Sequence, residues 1–179
     1  MSGDPIVGLV LISRAADFAA ERHKDIRRKG AGAIPYINHL AEVARLLAVT
    51  THGADAELVA AGWLHDTVED TATSREELIL TFGDDVAALV MEVTDDKSLP
   101  KGERKRLQVV KTPAKTARAK MIKLADLTSN LRQLPDDWEV QRVQEYFEWA
   151  DKVAAGCRGI NPELEQIFDR TFISGRAAL

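Results

Sequence analysis

Leu64-His65-Asp66-Thr67-Val68-Glu69-Asp70 is the stretch of this sequence that says most about the fold, because it places one imidazole and three carboxylates directly after an apolar helical run. Crowding carboxylates at the edge of a buried segment costs free energy unless a positive charge lies among them. A metal ion is the simplest such partner, and adjacent His65 and Asp66 can both reach one cation from a helix end. Glu69 and Asp70 follow one turn later, which suits residues that activate water. The competing interpretation is an ordinary acidic helix end beside a histidine.

Nearly every segment outside this stretch has the periodicity of an α-helix. Asp55 has the position of an N-cap, Pro35 that of a first-turn residue, and Gly83 that of a helix stop. The first helix carries an apolar stripe that we expect to face the core, formed by Ile6, Leu9, Val10, Ala16, Phe18 and Ala19. The spacing predicts helices at about 6–28, 35–52, 56–67, 74–82, 84–93, 100–112, 114–134, 139–155 and 162–172. No alternating run is long enough for a strand, so the sequence predicts a single all-α domain over residues 1–179.

Composition narrows the possible functions of the chain. Apolar residues make up 45% of the sequence and charged residues 29%, which is typical of a globular domain. The net charge of −4 argues against a general nucleic-acid binder. Nine basic residues and one acidic residue nevertheless lie between Lys101 and Lys123, which indicates either a small anionic ligand or a solvated helix face. No run approaches the roughly 20 apolar residues of a membrane span, so we expect a soluble, cytoplasmic protein. The oligomeric state stays open.

Four side chains from three predicted helices form a candidate metal site. His39 lies on the second helix, on a face that should be buried, and Asp126 lies amid the apolar residues of a later helix. A buried carboxylate requires a cation, which Lys123 one turn earlier can supply as an ion pair. A divalent ion shared by His39, His65, Asp66 and Asp126 supplies it better, and two imidazoles with two carboxylates suit manganese, iron or zinc. Four protein ligands leave positions open for water and substrate, as in a catalytic site.

Several longer motifs resemble one known family. Arg27-Arg28-Lys29 followed by Pro35-Tyr36-Ile37-Asn38-His39 is similar to the start of the hydrolase domain of the RelA/SpoT family. The segment from His65 to Thr71 matches that family's second signature, His-Asp-Thr-Val-Glu-Asp-Thr. The segments 92–106 and 142–149 are similar to its stand-alone small hydrolases. The resemblance therefore covers nearly the whole chain.

The resemblance implies an HD-type bundle of about ten helices that binds Mn²⁺. It implies hydrolysis of guanosine tetra- or pentaphosphate (ppGpp or pppGpp) at the ribose 3′ position, which releases pyrophosphate. In that family, the matches to His39, His65, Asp66 and Asp126 bind the metal, and those to Glu69 and Asp70 activate water. The residues that match substrate contacts are Arg28, Lys29, Lys101, Asn130, Arg142 and Tyr146. One departure follows Asp126, where the family usually has a basic residue and this chain has Leu127; the expected effect is a lost positive charge near the site.

Three other functions remain possible from the sequence. The chain could be an HD phosphohydrolase that acts on another nucleotide or on an extra ribose phosphate of a dinucleotide. It could be a non-catalytic module that binds the alarmone, although such a module need not keep the complete His/Asp/Glu set. It could also be a helical scaffold with a structural ion, in which case removing the metal should cost folding stability together with any function.

Overall fold

Helices account for most of the chain, as its periodicity predicts. The computed structural model describes residues 5–30 and 32–179. This part of the chain contains no β-strand and only an isolated antiparallel bridge between Arg27 and Pro35. Its α-helices are α1 (Pro5–His23), α2 (Ile37–Thr50), α3 (Ala56–Leu64), α4 (Thr67–Asp70), α5 (Arg75–Phe82), α6 (Asp84–Val93), α7 (Lys101–Lys111), α8 (Ala117–Arg132), α9 (Val140–Ala155) and α10 (Pro162–Ala177), with a 3₁₀ turn at Thr112–Ala114. The prediction of an all-α fold is confirmed.

Local signals fix several of these helix ends. The Asp55 side chain accepts a hydrogen bond from the Leu58 backbone N–H at 2.9 Å, which caps α3. Gly83 ends α5 with a φ of +87°, a conformation that a residue with a Cβ rarely adopts. Pro162 is the first residue of α10, where its missing N–H costs nothing.

Helix α8 runs through the centre of the bundle and positions the candidate site. It contacts α2, α3, α6, α9 and α10, and its Ile122, Leu124 and Leu127 are fully buried. Helices α2 and α3 approach each other closely at Gly62, because a Cβ there would lie 2.6 Å from Leu47 Cδ1. These three helices therefore bring together the segments that carry the predicted metal ligands.

The prediction for the inward face of α1 is wrong for the first half of the helix. Ile6, Leu9 and Val10 are 71%, 66% and 52% exposed, whereas Ala19 of the predicted stripe is fully buried, as is Ala15. Small side chains let α1 lie close against α3, and this close packing turns the larger apolar residues outward. The apolar stripe therefore identified the helix and the inward side of its second half, but not the exposure of its first turns.

Other helix bounds also differ from the predictions. Helix α1 ends at His23 rather than near residue 28, so Arg28 lies in a loop whose backbone N–H donates to the Ile34 carbonyl at 2.9 Å. The predicted helix 56–67 ends at Leu64, and a tight turn separates it from α4. Helix α8 begins at Ala117 rather than at residue 114, because the Thr116 hydroxyl caps it. Within the described part of the chain, no helix has both the length and the apolar character that a bilayer span requires.

Candidate active site

Two histidines are held rigidly at the centre of the bundle. His39 on α2 is 1% exposed and His65, directly after α3, is 4% exposed. His65 Nδ1 lies 2.9 Å from the Gly62 carbonyl, which can only accept, so Nδ1 carries a proton. His65 Nε2 is buried and makes no hydrogen bond with the described residues. In the neutral imidazole this atom has a free lone pair directed at the predicted metal site.

Asp126 completes a compact group of potential metal ligands. Its Oδ1 lies 3.3 Å from His39 Nε2 and 3.9 Å from His65 Nε2. One ligand atom from each of these three residues lies within 4.8 Å of the other two. The other carboxylate oxygen of Asp126 lies 3.3 Å from Lys123 Nζ, so the ion pair considered as an alternative is also present. The structure thus brings together three of the four predicted metal ligands around one small volume.

The fourth predicted ligand, Asp66, borders this volume without belonging to the compact group. Its Oδ2 lies 3.2 Å from His65 Nε2 and 3.6 Å from His39 Nε2. The same oxygen accepts a hydrogen bond from the Tyr36 hydroxyl at 2.7 Å. The Asp66 carboxylate therefore lies as near the imidazoles as Asp126 does, and its role as a fourth ligand stays a prediction.

The pKa values of the cluster show how strongly its charges depend on one another. Burial alone would lower the pKa of His65, but the carboxylates of Asp66 and Asp126 raise it to about 9. Burial alone would raise the pKa of each aspartate. The imidazoles, together with Lys123 beside Asp126, instead hold the pKa of both carboxyl groups below the ordinary range. The carboxylates therefore need positive charge beside them.

This donor set fits a divalent metal ion. Imidazole nitrogen and carboxylate oxygen are ligands that manganese, iron and zinc all accept. His65 Nε2 is buried and has no hydrogen-bond partner among the described residues, and a metal ion would accept its lone pair. The distances also allow one ion to contact His39, His65 and Asp126 together.

Glu69 and Asp70 lie beside the cluster on α4. Glu69 Oε2 accepts a hydrogen bond from the Asp95 backbone N–H at 3.2 Å, and Glu69 Oε1 lies 3.4 Å from Lys97 Nζ. Burial and the nearby charge of Asp66 raise the pKa of Glu69. Lys97 also donates to Asp70 Oδ1 at 2.8 Å. Both predicted catalytic carboxylates therefore share one lysine, which the sequence analysis did not select.

A cavity of about 650 Å³ opens beside these residues. Most of the predicted substrate contacts line it. They are Arg28, Lys29, Lys101, Asn130 and Tyr146, together with the predicted catalytic residue Asp70. Arg142 does not line the cavity, but its guanidinium lies 4.0 Å from the ring centroid of Trp138, which does. The cavity is therefore lined by several cationic side chains, and one of them, Lys97, contacts α4.

A chain of hydrogen bonds links this cavity to the metal ligands. Arg28 donates to Asn130 Oδ1 at 2.8 Å, and Asn130 Nδ2 donates to Asp126 Oδ1 at 2.6 Å. Asn130 lies one helical turn after Asp126 on α8, which is why both side chains reach the same point. A ligand that contacts Arg28 is thus connected, through the side-chain amide of Asn130, to the carboxylate of the predicted metal ligand Asp126.

Leu127, where the chain departs from the family, lies in the core. Its side chain is completely buried and does not line the cavity. Successive residues on a helix point in different directions, so Asp126 and Asn130 reach the site from the same helix while Leu127 packs elsewhere. The effect expected from the missing basic residue stays a prediction.

Sequence analysis also missed three residues of the site. Tyr36 and Lys97 lie within the motifs described above but received no role, and Trp138 was not assigned to the site. Both Tyr36 and Trp138 line the cavity. The signal for Trp138 was its place directly after the Pro135-Asp136-Asp137 turn, because aromatic residues in loops beside a helix start often remain accessible to ligands.

Comparison with known proteins shows the family to which this chain belongs. The sequence profile of the HD domain matches residues 15–149. A Xenopus tropicalis protein named guanosine-3′,5′-bis(diphosphate) 3′-pyrophosphohydrolase MESH1 is 52% identical over 167 residues, which cover 91% of this chain and 93% of that protein. The Homo sapiens protein of the same name is 51% identical over 162 residues, covering 88% and 90%. A solved structure described as a metazoan ortholog of SpoT that hydrolyses ppGpp has a TM-score of 0.88 and 43% identity, and the match covers 94% of this chain and 97% of that one.

The all-α bundle and the central cluster of His39, His65, Asp66 and Asp126 together define the class of protein: an HD-domain protein. The chain belongs to the HD-domain family, in the branch that contains the MESH1 proteins and the metazoan ortholog of SpoT. The resemblance to RelA/SpoT hydrolases that the sequence motifs indicate is confirmed.

Proposed function

We propose that this chain hydrolyses ppGpp and pppGpp at the ribose 3′ position and so removes the alarmone. Water is consumed, the 3′ diphosphate leaves as pyrophosphate, and GDP or GTP remains. The observation that carries the proposal is the position of the His39, His65 and Asp126 cluster beside a cavity lined by cations. The names of relatives that are 51% and 52% identical over most of both chains support the same reaction.

A divalent ion held by His39, His65 and Asp126, with Asp66 as a fourth ligand, would supply Lewis-acid polarisation of a phosphate oxygen. The donor set accepts several metals, and the resemblance to RelA/SpoT hydrolases favours Mn²⁺. We also propose a cytoplasmic location, because the substrate is an intracellular nucleotide.

Glu69 is the residue best placed to accept a proton from the attacking water. Its raised pKa makes it a stronger base than a surface glutamate, while the Asp95 N–H fixes its orientation. Asp70 faces the cavity and is oriented by Lys97, so it is suited to holding the water in line. The position of α4 supports both roles, because α4 begins directly after Asp66 and its Asp70 lines the cavity.

Cations around the cavity provide the charge that a nucleotide with two diphosphate groups requires. Lys101 lies close enough to Arg142, Lys29 and Arg104 that burial and these charges lower its pKa. A bound diphosphate would relieve this repulsion, which favours binding of a highly charged anion. Arg28 presents a planar guanidinium to the cavity, suited to stacking on a purine or to pairing with phosphate.

The proposal is tested by incubating the purified chain with Mn²⁺ and ppGpp and separating the products by anion-exchange chromatography. We expect GDP and pyrophosphate in equal amounts, with no release after treatment with a chelator. Release of orthophosphate alone would instead support action on a different phosphate ester. The variant Glu69→Gln should lose about 10²-fold or more in turnover, whereas Glu76→Gln on the exposed face of α5 should match the parent chain.

A further inference from the structure

A line of polar groups extends from the buried His39 side chain toward the protein surface. His39 Nδ1 lies 2.9 Å from Ser129 Oγ on α8. The Ser129 hydroxyl donates to Glu42 Oε2 at 2.8 Å, and Ser129 is 1% exposed. The other oxygen of Glu42 accepts a hydrogen bond from Arg132 at 2.6 Å. We refer to Ser129, Glu42 and Arg132 as the His39 relay.

The direction of each proton in this relay follows from the chemistry of its groups. Glu42 pairs with Arg132 as a carboxylate and can therefore only accept. The single hydroxyl proton of Ser129 is used toward Glu42, so Ser129 Oγ can only accept from His39. His39 Nδ1 must then carry a proton, which leaves the lone pair of the neutral ring on Nε2. That atom lies 3.3 Å from Asp126 Oδ1, on the side of the metal cluster.

The two histidines of the cluster are oriented by different means. His65 Nδ1 bonds to a backbone carbonyl, which no side-chain substitution can remove. His39 depends instead on a hydroxyl and a carboxylate, one from α8 and one from its own helix. The orientation and proton position of His39 are consequently set by residues that contact neither the cavity nor the other ligands.

We propose that Ser129 and Glu42 are positioning residues that fix the tautomer and ring orientation of His39 for metal binding. The proposal rests on the metal site of the proposed function and adds the residues that prepare that site. Arg132 holds the Glu42 carboxylate in place, and Arg132 Nε also donates to Thr171 Oγ1 of α10 at 3.3 Å. Groups that support a metal-binding histidine in this way typically contribute ten- to hundredfold to metal affinity.

The substitution Glu42→Gln tests the proton order while leaving the side-chain volume nearly unchanged. Arg132 can only donate, so the new amide must turn its oxygen toward Arg132 and its NH₂ group toward Ser129. Ser129 then donates to His39 Nδ1. The lone pair of the neutral ring therefore moves to Nδ1, and the proton moves to Nε2, the atom that should bind the metal. We expect Glu42→Gln to weaken metal binding even though it preserves a hydrogen-bonded chain.

The experiment measures Mn²⁺ affinity of the chelator-treated protein by calorimetry, with ppGpp turnover of the parent chain recorded in parallel. Ser129→Ala and Glu42→Gln should each lower the affinity by about tenfold or more. The control is Thr128→Val, which removes a hydroxyl from the neighbouring buried position of α8, where it donates to the Leu124 carbonyl at 2.7 Å. Thr128→Val should bind Mn²⁺ as the parent does.

The double variant Ser129→Ala with Glu42→Gln separates positioning from a general loss of structure. Without the Ser129 hydroxyl, no hydrogen bonds connect Glu42 to His39 through this position. The double variant should therefore bind Mn²⁺ no more weakly than Ser129→Ala alone. Additive losses, parent-like affinity in Ser129→Ala, or an equal loss in Thr128→Val would overturn the proposal. Absence of Mn²⁺ binding by the parent would overturn it too, whereas parent binding without ppGpp turnover would leave the relay intact and refute the proposed reaction.

Discussion

The pH dependence of folding stability gives a sensitive test of the charge arrangement in the cluster. The pKa of His65 is raised from 6.5 to about 9 in the metal-free protein, since the charges of Asp66 and Asp126 outweigh the effect of burial. The folded chain thus binds this proton more tightly than the unfolded chain does. The resulting stabilisation is fully present below pH 6.5, declines as pH rises through about 9, and is absent at higher pH. At about 1.4 kcal/mol for each unit of pKa difference, the stabilisation amounts to roughly 3 to 4 kcal/mol.

The assay is urea unfolding of the chelator-treated chain at intervals from pH 6 to pH 10. We expect the free energy of unfolding to fall over this range, and His65→Gln should remove most of the fall. His52→Gln is a suitable control because the His52 side chain is 84% exposed and should leave the pH dependence unchanged. A flat stability profile for the parent chain, or an unchanged fall in His65→Gln, would show that the proton on His65 does not stabilise the cluster.

Three further predictions concern the packing and the cavity. Lys97→Met removes a positive charge that lowers the pKa of Glu69, so the acidic limb of the kcat/KM pH profile should move to higher pH. The shift should be less than about one pH unit because the Lys97 side chain is 48% exposed, and an unmoved limb would contradict this reasoning. Gly62→Ala places a Cβ 2.6 Å from Leu47 Cδ1 and should cost about 1–3 kcal/mol in urea unfolding, and unchanged stability would refute the close α2–α3 contact. Trp138→Ala should raise KM for ppGpp more than it lowers kcat, since the ring lines the cavity away from the cluster; a loss confined to kcat would argue against this role.

The residues that form the candidate metal site were more predictable from the sequence than the residues that hold the catalytic side chains in position. His39, His65 and Asp126 could be selected because buried polar residues on apolar helical faces require partners, and the structure brings them together. The sequence did not reveal that Lys97 lies between Glu69 and Asp70, because that contact depends on how the 94–100 segment returns to α4. Such contacts between distant segments have no local periodicity.

The same limit explains the error in α1. Apolar periodicity predicts a helix, but α1 packs against α3 through small residues and leaves Ile6 and Leu9 largely exposed. Helix–helix distance is decided by which side chains allow close approach, and this depends on both partners. Ser129 was overlooked for a related reason, since a serine in a helix acquires its role only from the His39 and Glu42 side chains that α2 places opposite it.

The central claim is that one divalent ion lies among three side chains from separate segments of the bundle. Anomalous diffraction from crystals grown with Mn²⁺ measures this directly. We expect a single strong peak within ligand distance of His39 Nε2, His65 Nε2 and Asp126 Oδ1. A well-ordered crystal at saturating Mn²⁺ that shows no peak there, or a peak bound by other residues, would contradict the account.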